Sequence, residues 1–216
     1  MKFEHGTNFK LIDKKRTYID KTVQIGNNVT IYENCRIENG TIIGDNVTIK
    51  QGCYISNTII EDGAIIESTH SEGSRIGKNC QIGPFARLRP NAEILEGAKV
   101  GNFVEIKNAK IGKGTKVSHL AYVGDAELGE NCNVGCGAIF VNYNGKIKQK
   151  TIVGDNCFIG SNCNIIAPVV IKDNTYLCAG TTLTEDTEND DFIIGRVRPS
   201  VKKNRAHEYL KHFKGE

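Results

Sequence analysis

The 216-residue chain contains no tryptophan, one methionine and four prolines, and aromatic residues make up only 7% of it. Large rings therefore do not build its core. No stretch reaches the ~20 consecutive apolar residues of a membrane-spanning helix, and residues 1–15 are polar, without the apolar run of a secretory signal. A membrane partner is not expected. Eight cysteines are present but no two are spaced C-x-x-C; the nearest pairs are Cys132 with Cys136 and Cys157 with Cys163. Without convergent Cys or His at short spacing, no metal site is expected. Free thiols with no export signal point to a reducing, cytoplasmic setting. Charge of one sign is also lacking. The formal net charge is +3, but residues 196–216 hold seven Lys/Arg against two Asp/Glu. The rest of the chain is mildly acidic, which excludes a general nucleic-acid-binding surface.

What the chain does have is glycine, 23 residues of it, and a repeat. An aliphatic side chain recurs every six positions: Ile19, Ile25, Ile31, Ile37, Ile43, Ile49 and Ile55, then, with a few five-residue steps, from Ile60 to Phe140, and from Val153 to Leu183. Four residues after many of these stands a small or β-branched residue, as at Val23, Cys35, Cys53, Cys80, Ala86, Cys132, Cys157 and Cys163. Glycine follows the aliphatic in eleven repeats, for example at Gly26, Gly77 and Gly160. A six-residue period fits no α-helix. It fits one short strand and one turn, three such units to a coil, with the aliphatic pointing into a narrow prism and glycine and asparagine expected in the turns. Twenty-seven such starts give nine coils, a prism roughly 43 Å long at ~4.8 Å per coil. The expected boundaries are a lead-in over 1–18, the solenoid over 19–195 and a basic tail over 196–216.

Two segments interrupt the phase. Ser68 to Arg75 is the first, and has no functional account. The second, Asn142 to Lys150, carries an Asn-Gly turn pair and three lysines; such a loop on a rigid scaffold is a candidate functional element. In the tail, Ala206, Tyr209, Leu210 and Phe213 follow helical spacing behind the start signal Pro199-Ser200. A short amphipathic helix is expected there, on the prism or on a neighbouring subunit.

Chemistry-bearing residues gather in the middle of the chain. His119 stands two positions after the inward Val117, so its side chain leaves the prism near a turn. Arg89 and Lys107 are 18 residues apart, one coil, and so should stack. Stacked cations repel unless an anion sits between them, which suits a phosphate site. Glu105 is read as a salt-bridge partner. Three convergent histidines, as in a γ-type carbonic anhydrase, are lacking: only His70 and His119 fall within the repeats.

The runs Ile82-Gly83-Pro84-Phe85-Ala86-Arg87-Leu88-Arg89-Pro90, Val100-Gly101-Asn102-Phe103-Val104-Glu105-Ile106-Lys107, Ser118-His119-Leu120-Ala121-Tyr122 and Val141-Asn142-Tyr143-Asn144-Gly145 resemble the acetyltransferase domain of a family. It is that of the bifunctional N-acetylglucosamine-1-phosphate uridyltransferase/glucosamine-1-phosphate N-acetyltransferases. The resemblance covers nearly the whole chain except the tail. It implies an all-β fold, a left-handed parallel β-helix of hexapeptide repeats, and a homotrimer with sites between subunits. It implies acetyl-CoA as co-substrate and the amine of glucosamine-1-phosphate as acceptor. By the same resemblance His119 is the general base, a role suited to imidazole as a residue type. Arg89, Lys107, Tyr122, Asn133, Asn142, Tyr143 and Lys148 hold the sugar phosphate. The backbone N–H of Cys136 lies near the acetyl carbonyl, and Ser161, Ala179 and Arg196 contact acetyl-CoA. Two positions depart from the family: Asn144 stands where aspartate is common, and Cys136 where alanine is frequent. Nothing before Thr17 resembles the family's uridyltransferase half, so the chain is expected to stop at N-acetylglucosamine-1-phosphate unless it is a fragment of a longer protein; a separate uridyltransferase is a candidate partner. The alternatives are transfer to another amino-sugar phosphate or nucleotide amino sugar, and a non-catalytic scaffold subunit.

Overall fold

A computed structural model describes residues 8–210. Thirty strands of two to four residues follow one another along the chain and pair in parallel into three sheets of eleven, ten and nine strands. The first sheet runs from Lys10–Leu11 to Phe192–Ile193, the second from Tyr18–Ile19 to Thr182–Leu183, the third from Gln24–Ile25 to Val169–Ile171. From the fourth strand to Thr182–Leu183 each strand pairs with the strand three before it, so the chain visits the sheets in turn; the last strand, Phe192–Ile193, pairs with Tyr176–Leu177 after only one intervening strand. The result is a left-handed parallel β-helix of about ten coils, roughly 48 Å long at ~4.8 Å per coil.

The inward aliphatics build the core, one stacked on the next. Ile31 lies in register with Ile49, Ile66 with Ile82, and Val100 with Val117. All six are essentially sealed from solvent, and burying each side chain is worth about 1.5–3 kcal/mol. Cys35, Cys53, Cys80, Cys132, Cys157 and Cys163 fill the small inward slot as buried free thiols. Their S–H groups reach backbone carbonyls, as from Cys132 Sγ to Gly154 O at 3.1 Å.

The structure corrects the repeat analysis in several places. Three further inward positions exist, at Leu11, Ser71 and Ile193, which is why the coils number ten and not nine. The first coil therefore starts inside the expected lead-in. Ser68 to Arg75 is no interruption: His70–Glu72 is a strand in register with Tyr54–Ser56 below, and through His70 and Ser71 with Arg87–Leu88 above. A serine takes the aliphatic's place because its hydroxyl is satisfied inside the prism. Ser71 Oγ lies 2.7 Å from Ser74 Oγ and 3.2 Å from Thr58 Oγ1.

Glycine and asparagine also divide the work differently. Of the eleven glycines that follow an inward aliphatic only Gly83 has a positive φ; the others provide space. A Cβ at Gly77 would lie 2.8 Å from Ile94 O and 2.9 Å from Glu96 N of the next coil, closer than a carbon tolerates. The corners belong to asparagine, which supplies thirteen of the nineteen described non-glycine residues at positive φ. Its short polar side chain makes it the residue, after glycine, that tolerates this conformation. In the tail the helix is only Ala206–Leu210, with no buried residue. Pro199-Ser200 does not start it, because Asn204, at φ 57°, turns the chain immediately before. Residues 197–210 are exposed, so beyond Arg196 the stretch does not lie on its own prism; Phe213 falls outside the described residues.

Ser71→Ala removes the partner of the buried Ser74 hydroxyl. It should lower the unfolding free energy by roughly 1–3 kcal/mol, read from the midpoint of denaturant unfolding at an unchanged m-value; an unmoved midpoint refutes the inward hydroxyl network.

Candidate functional site

His119 ends the strand Lys116–His119 and lies exposed at the corner between the first and second sheets. The coil below presents Asn102 in register with it, and His119 Nδ1 is 2.7 Å from Asn102 Oδ1. The amide oxygen beside it favours the tautomer with the proton on Nδ1, which turns Nε2 to the open side. The signal for Asn102 was present in the sequence: it stands two after Val100 as His119 stands two after Val117, but one coil here spans 17 residues and not 18.

The same corner position continues upward as a column. Val117, Val134, Ile159 and Leu177 are in register from coil to coil, and two residues after each come His119, Cys136, Ser161 and Ala179. Arg196 closes the column: its Nη1 donates to Ala179 O at 3.1 Å. From His119 to Arg196 is four coils, roughly 19 Å. Beside the column lie Gly135 and Gly160, where a Cβ would come 2.5 Å from the N atoms of Ser161 and Ala179. The track is thus lined by small side chains. The backbone N–H groups of Cys136, Ser161 and Ala179 donate to no acceptor among the described residues, which leaves a file of three donors along it.

Around the corner, on the second sheet, Arg87, Glu105 and Tyr122 are in register. One step further along those strands Arg89 lies below Lys107. Arg89 Nη1 donates to Glu105 Oε1 at 2.9 Å, the ion pair expected for Glu105. Lys107 has the Lys148 ammonium beside it; that neighbour first, then desolvation and Arg89, hold its pKa below the ordinary lysine value. Three cations thus converge on one patch. Tyr122 lies over Gly124: a Cβ there would sit 2.7 Å from Tyr122 Cζ. Since Gly124 is in register with Lys107, the bare glycine lets the tyrosine ring extend toward the cations.

The loop 142–150 supplies Lys148 and is internally tied. Tyr143 and Lys148 form an antiparallel bridge, Gln149 N donates to Asn142 O at 2.8 Å, and Tyr143 Oη donates to Gly145 O at 2.8 Å. Asn144 Oδ1 accepts from the Lys146 and Ile147 amides at 3.0 Å each, so the turn survives the change from the family's aspartate. A cleft of about 450 Å³ opens under this loop, lined in part by Asp125, Lys110, Glu127 and Lys148.

Within one chain, then, the structure gathers Arg89, Lys107, Tyr122 and Lys148 on one face with Asn142 and Tyr143 at its edge, and sets His119, Cys136, Ser161, Ala179 and Arg196 along one corner. Asn133 does not join the cation cluster. It lies on the first sheet, in register with Lys116 and Phe158, on the far side of the corner. Among the described residues no group of His, Cys, Asp and Glu could hold a metal ion.

The lowered pKa of Lys107 makes its amine neutral, and nucleophilic, at a lower pH than that of Lys50, whose pKa the Glu67 carboxylate raises. Acetic anhydride labelling followed by mass spectrometry across an alkaline pH series should find Lys107 reacting at lower pH than Lys50, with inorganic phosphate protecting it. Equal profiles refute the cation cluster.

A model of the bacterial transferase hexapeptide family (six repeats) matches residues 22–57, 73–108 and 150–185. The chain is 48% identical over 192 residues to the bifunctional protein GlmU of Clostridium botulinum (strain Loch Maree / Type A3), which covers 89% of this chain and 42% of that protein. To the bifunctional protein GlmU of Clostridium novyi it is 47% identical over 188 residues, covering 87% of this chain and 41% of that protein. It therefore spans less than half the length of these curated relatives, and matches their C-terminal part. Among solved structures, the LpxA UDP-N-acetylglucosamine acyltransferase of Bacteroides fragilis superposes with a TM-score of 0.61 at 20% identity, covering 81% of this chain and 68% of that chain; this likeness is one of fold. The chain belongs to the bacterial transferase hexapeptide-repeat family.

Proposed function

We propose that this chain transfers the acetyl group of acetyl-CoA to the amine of glucosamine-1-phosphate, giving N-acetylglucosamine-1-phosphate for UDP-N-acetylglucosamine synthesis. One observation carries the reading. The Arg89–Lys107–Lys148 patch, His119 and the file of free amides ending at Arg196 lie in sequence around a single corner. The patch fits a sugar phosphate and the file fits a long, amide-bearing thioester donor whose own phosphates suit Arg196. The corner histidine lies where the two would meet. The similarity to the C-terminal part of the bifunctional GlmU proteins supports the same reading.

In this scheme the sugar amine attacks the thioester carbonyl, the C–N bond forms and the C–S bond breaks. His119 Nε2 takes the proton from the amine, and Asn102 holds the ring with Nδ1 protonated. The Cys136 N–H faces the carbonyl oxygen as negative charge develops there. No protein nucleophile is required, and Cys136 has no paired base. The reaction uses no metal.

The working unit on this reading is a homotrimer with sites between copies. Phe85, Phe103 and Leu120 follow one another up the corner beside Asn102 and His119, at φ 57°, 56° and 47°, and each is more than half exposed. Phe85 and Phe103 stack with ring centroids 5.5 Å apart. Bulky residues in this conformation cost backbone energy, and an exposed apolar ridge marks an interaction surface. A second copy against it also brings an Asn133 from its first sheet toward the site, and gives the exposed tail a surface. The eight free thiols suit the cytoplasm, and a uridyltransferase is the partner activity that would take up the product.

A thiol-release assay with acetyl-CoA should show turnover with glucosamine-1-phosphate. Preference for galactosamine-1-phosphate or a nucleotide amino sugar moves the acceptor assignment, and no release with any of them favours the scaffold reading. His119→Ala should cut kcat by about two to four orders of magnitude at an unchanged KM for acetyl-CoA; Asn102→Ala should cut kcat roughly tenfold, because the wrong tautomer becomes available. Phe103→Asp should dissociate the assembly in analytical ultracentrifugation and abolish transfer with it; a trimeric Phe103→Asp protein overturns this interface.

A further inference from the structure

Asp125 closes the strand-end turn after Tyr122–Gly124, at φ 47°, and every polar atom it has is engaged. Its N–H donates to Lys107 O at 3.1 Å and its backbone O accepts from Thr151 N at 3.2 Å. Its carboxylate accepts from Asn108 Nδ2 at 2.5 Å through Oδ1 and from Asn142 Nδ2 through Oδ2. Two of these partners are Lys107, which ends the strand carrying the central cation, and Asn108, which follows it. The other two, Asn142 and Thr151, flank the loop that carries Lys148. Asp125 and Lys148 line the same cleft. The remaining ties of the loop to the prism include the Lys150–Glu127 ion pair, at 2.5 Å between well-exposed groups, which water screens.

We infer that Asp125 is a positioning residue for the phosphate-binding patch: it clasps the 142–150 loop by both ends against the Lys107 strand and stands as the patch's counter-charge. The inference rests on the reading of Arg89, Lys107 and Lys148 as phosphate ligands. The groups facing Lys107 are Lys148 from the loop, Arg89 from the coil below and Asp125 from the coil above, while Glu105 is taken up by Arg89. Asp125 is thus the carboxylate that works against the mutual repulsion of the cations. Without it the patch loses charge as the pH rises through a lower value, and its hold on phosphate fails earlier.

Three measurements on the full chain test this. In Asp125→Ala, hydrogen exchange across residues 142–150 should quicken about tenfold or more. Binding of inorganic phosphate should weaken by a similar factor, and KM for glucosamine-1-phosphate should rise about ten- to hundredfold, as loss of hydrogen bonds to a charged group implies. kcat should stay within about threefold, and KM for acetyl-CoA should not move. Asp125→Asn keeps an acceptor but not the charge. It should restore most of the loop's protection, yet the pH above which KM for the sugar phosphate climbs should lie lower than in the wild type. Wild-type exchange and phosphate binding in Asp125→Ala overturn the inference, as does a fall in melting temperature with kcat and both KM values worsening together. If the unaltered protein transfers acetyl to no amino-sugar phosphate, the proposed function fails, while loop exchange and inorganic phosphate binding still decide the role of Asp125.

Discussion

Everything in this molecule depends on the register of one coil over the next. A strand of two or three residues cannot satisfy its own backbone, so its N–H and C=O groups find partners only in the coils above and below, and the pairing must be parallel and in step. That single requirement fixes the rest. Side chains at equal positions form columns, and a column must hold residues able to live about 4.8 Å from their own kind. Aliphatics manage this inside the prism, and amides manage it at the corners, as where Asn28 Nδ2 donates to Asn46 Oδ1. Glycine appears where the neighbouring coil's backbone comes too close for a Cβ.

The same rule builds a site on the outside of a filled prism. Residues remote in sequence are lined up by counting coils, so a file of small residues becomes a track and cations a coil apart become neighbours. Columns that serve stability hold like residues that attract or ignore one another. The column of Arg89 and Lys107, with Lys148 leaning in, is frustrated electrostatically, and Phe85, Phe103 and Leu120 occupy corners where asparagine would be cheaper. Both departures flank His119. Local rules are broken where the surface has other work.

Most of the fold was legible in the sequence because the period is in the aliphatic residues themselves. What escaped were the coils whose inward residue breaks the pattern: Ser71 is polar, and Leu11 and Ile193 stand in coils at the two ends, apart from their nearest repeats. The role of the glycines was misjudged since composition cannot separate a residue chosen for its φ from one chosen for its missing Cβ. Of the site, the stacking of Lys107 over Arg89 and the projection of His119 followed from spacing. Asn102 and Asp125 did not, because their contacts depend on the five-residue steps from Ile106 to Ile111 and from Val123 to Leu128, each of which shortens a coil to 17 residues. Asn133 shows the opposite limit: a motif match names a residue without saying which face of the prism carries it.

The strand Phe192–Ile193 is the last rung of the first sheet and has a neighbour on one side only. In a solenoid, stability is close to a sum over adjacent rungs, so opening costs least at the ends. Arg196 leaves from this last rung and is held to the rung below by its bond to Ala179 O. On the proposed reading, a donor lying along the corner would span rungs that otherwise fray independently and act as a staple on the open end. Its affinity would then contain the cost of ordering that end, and the protection of the final rung against exchange would rise with donor concentration by simple mass action.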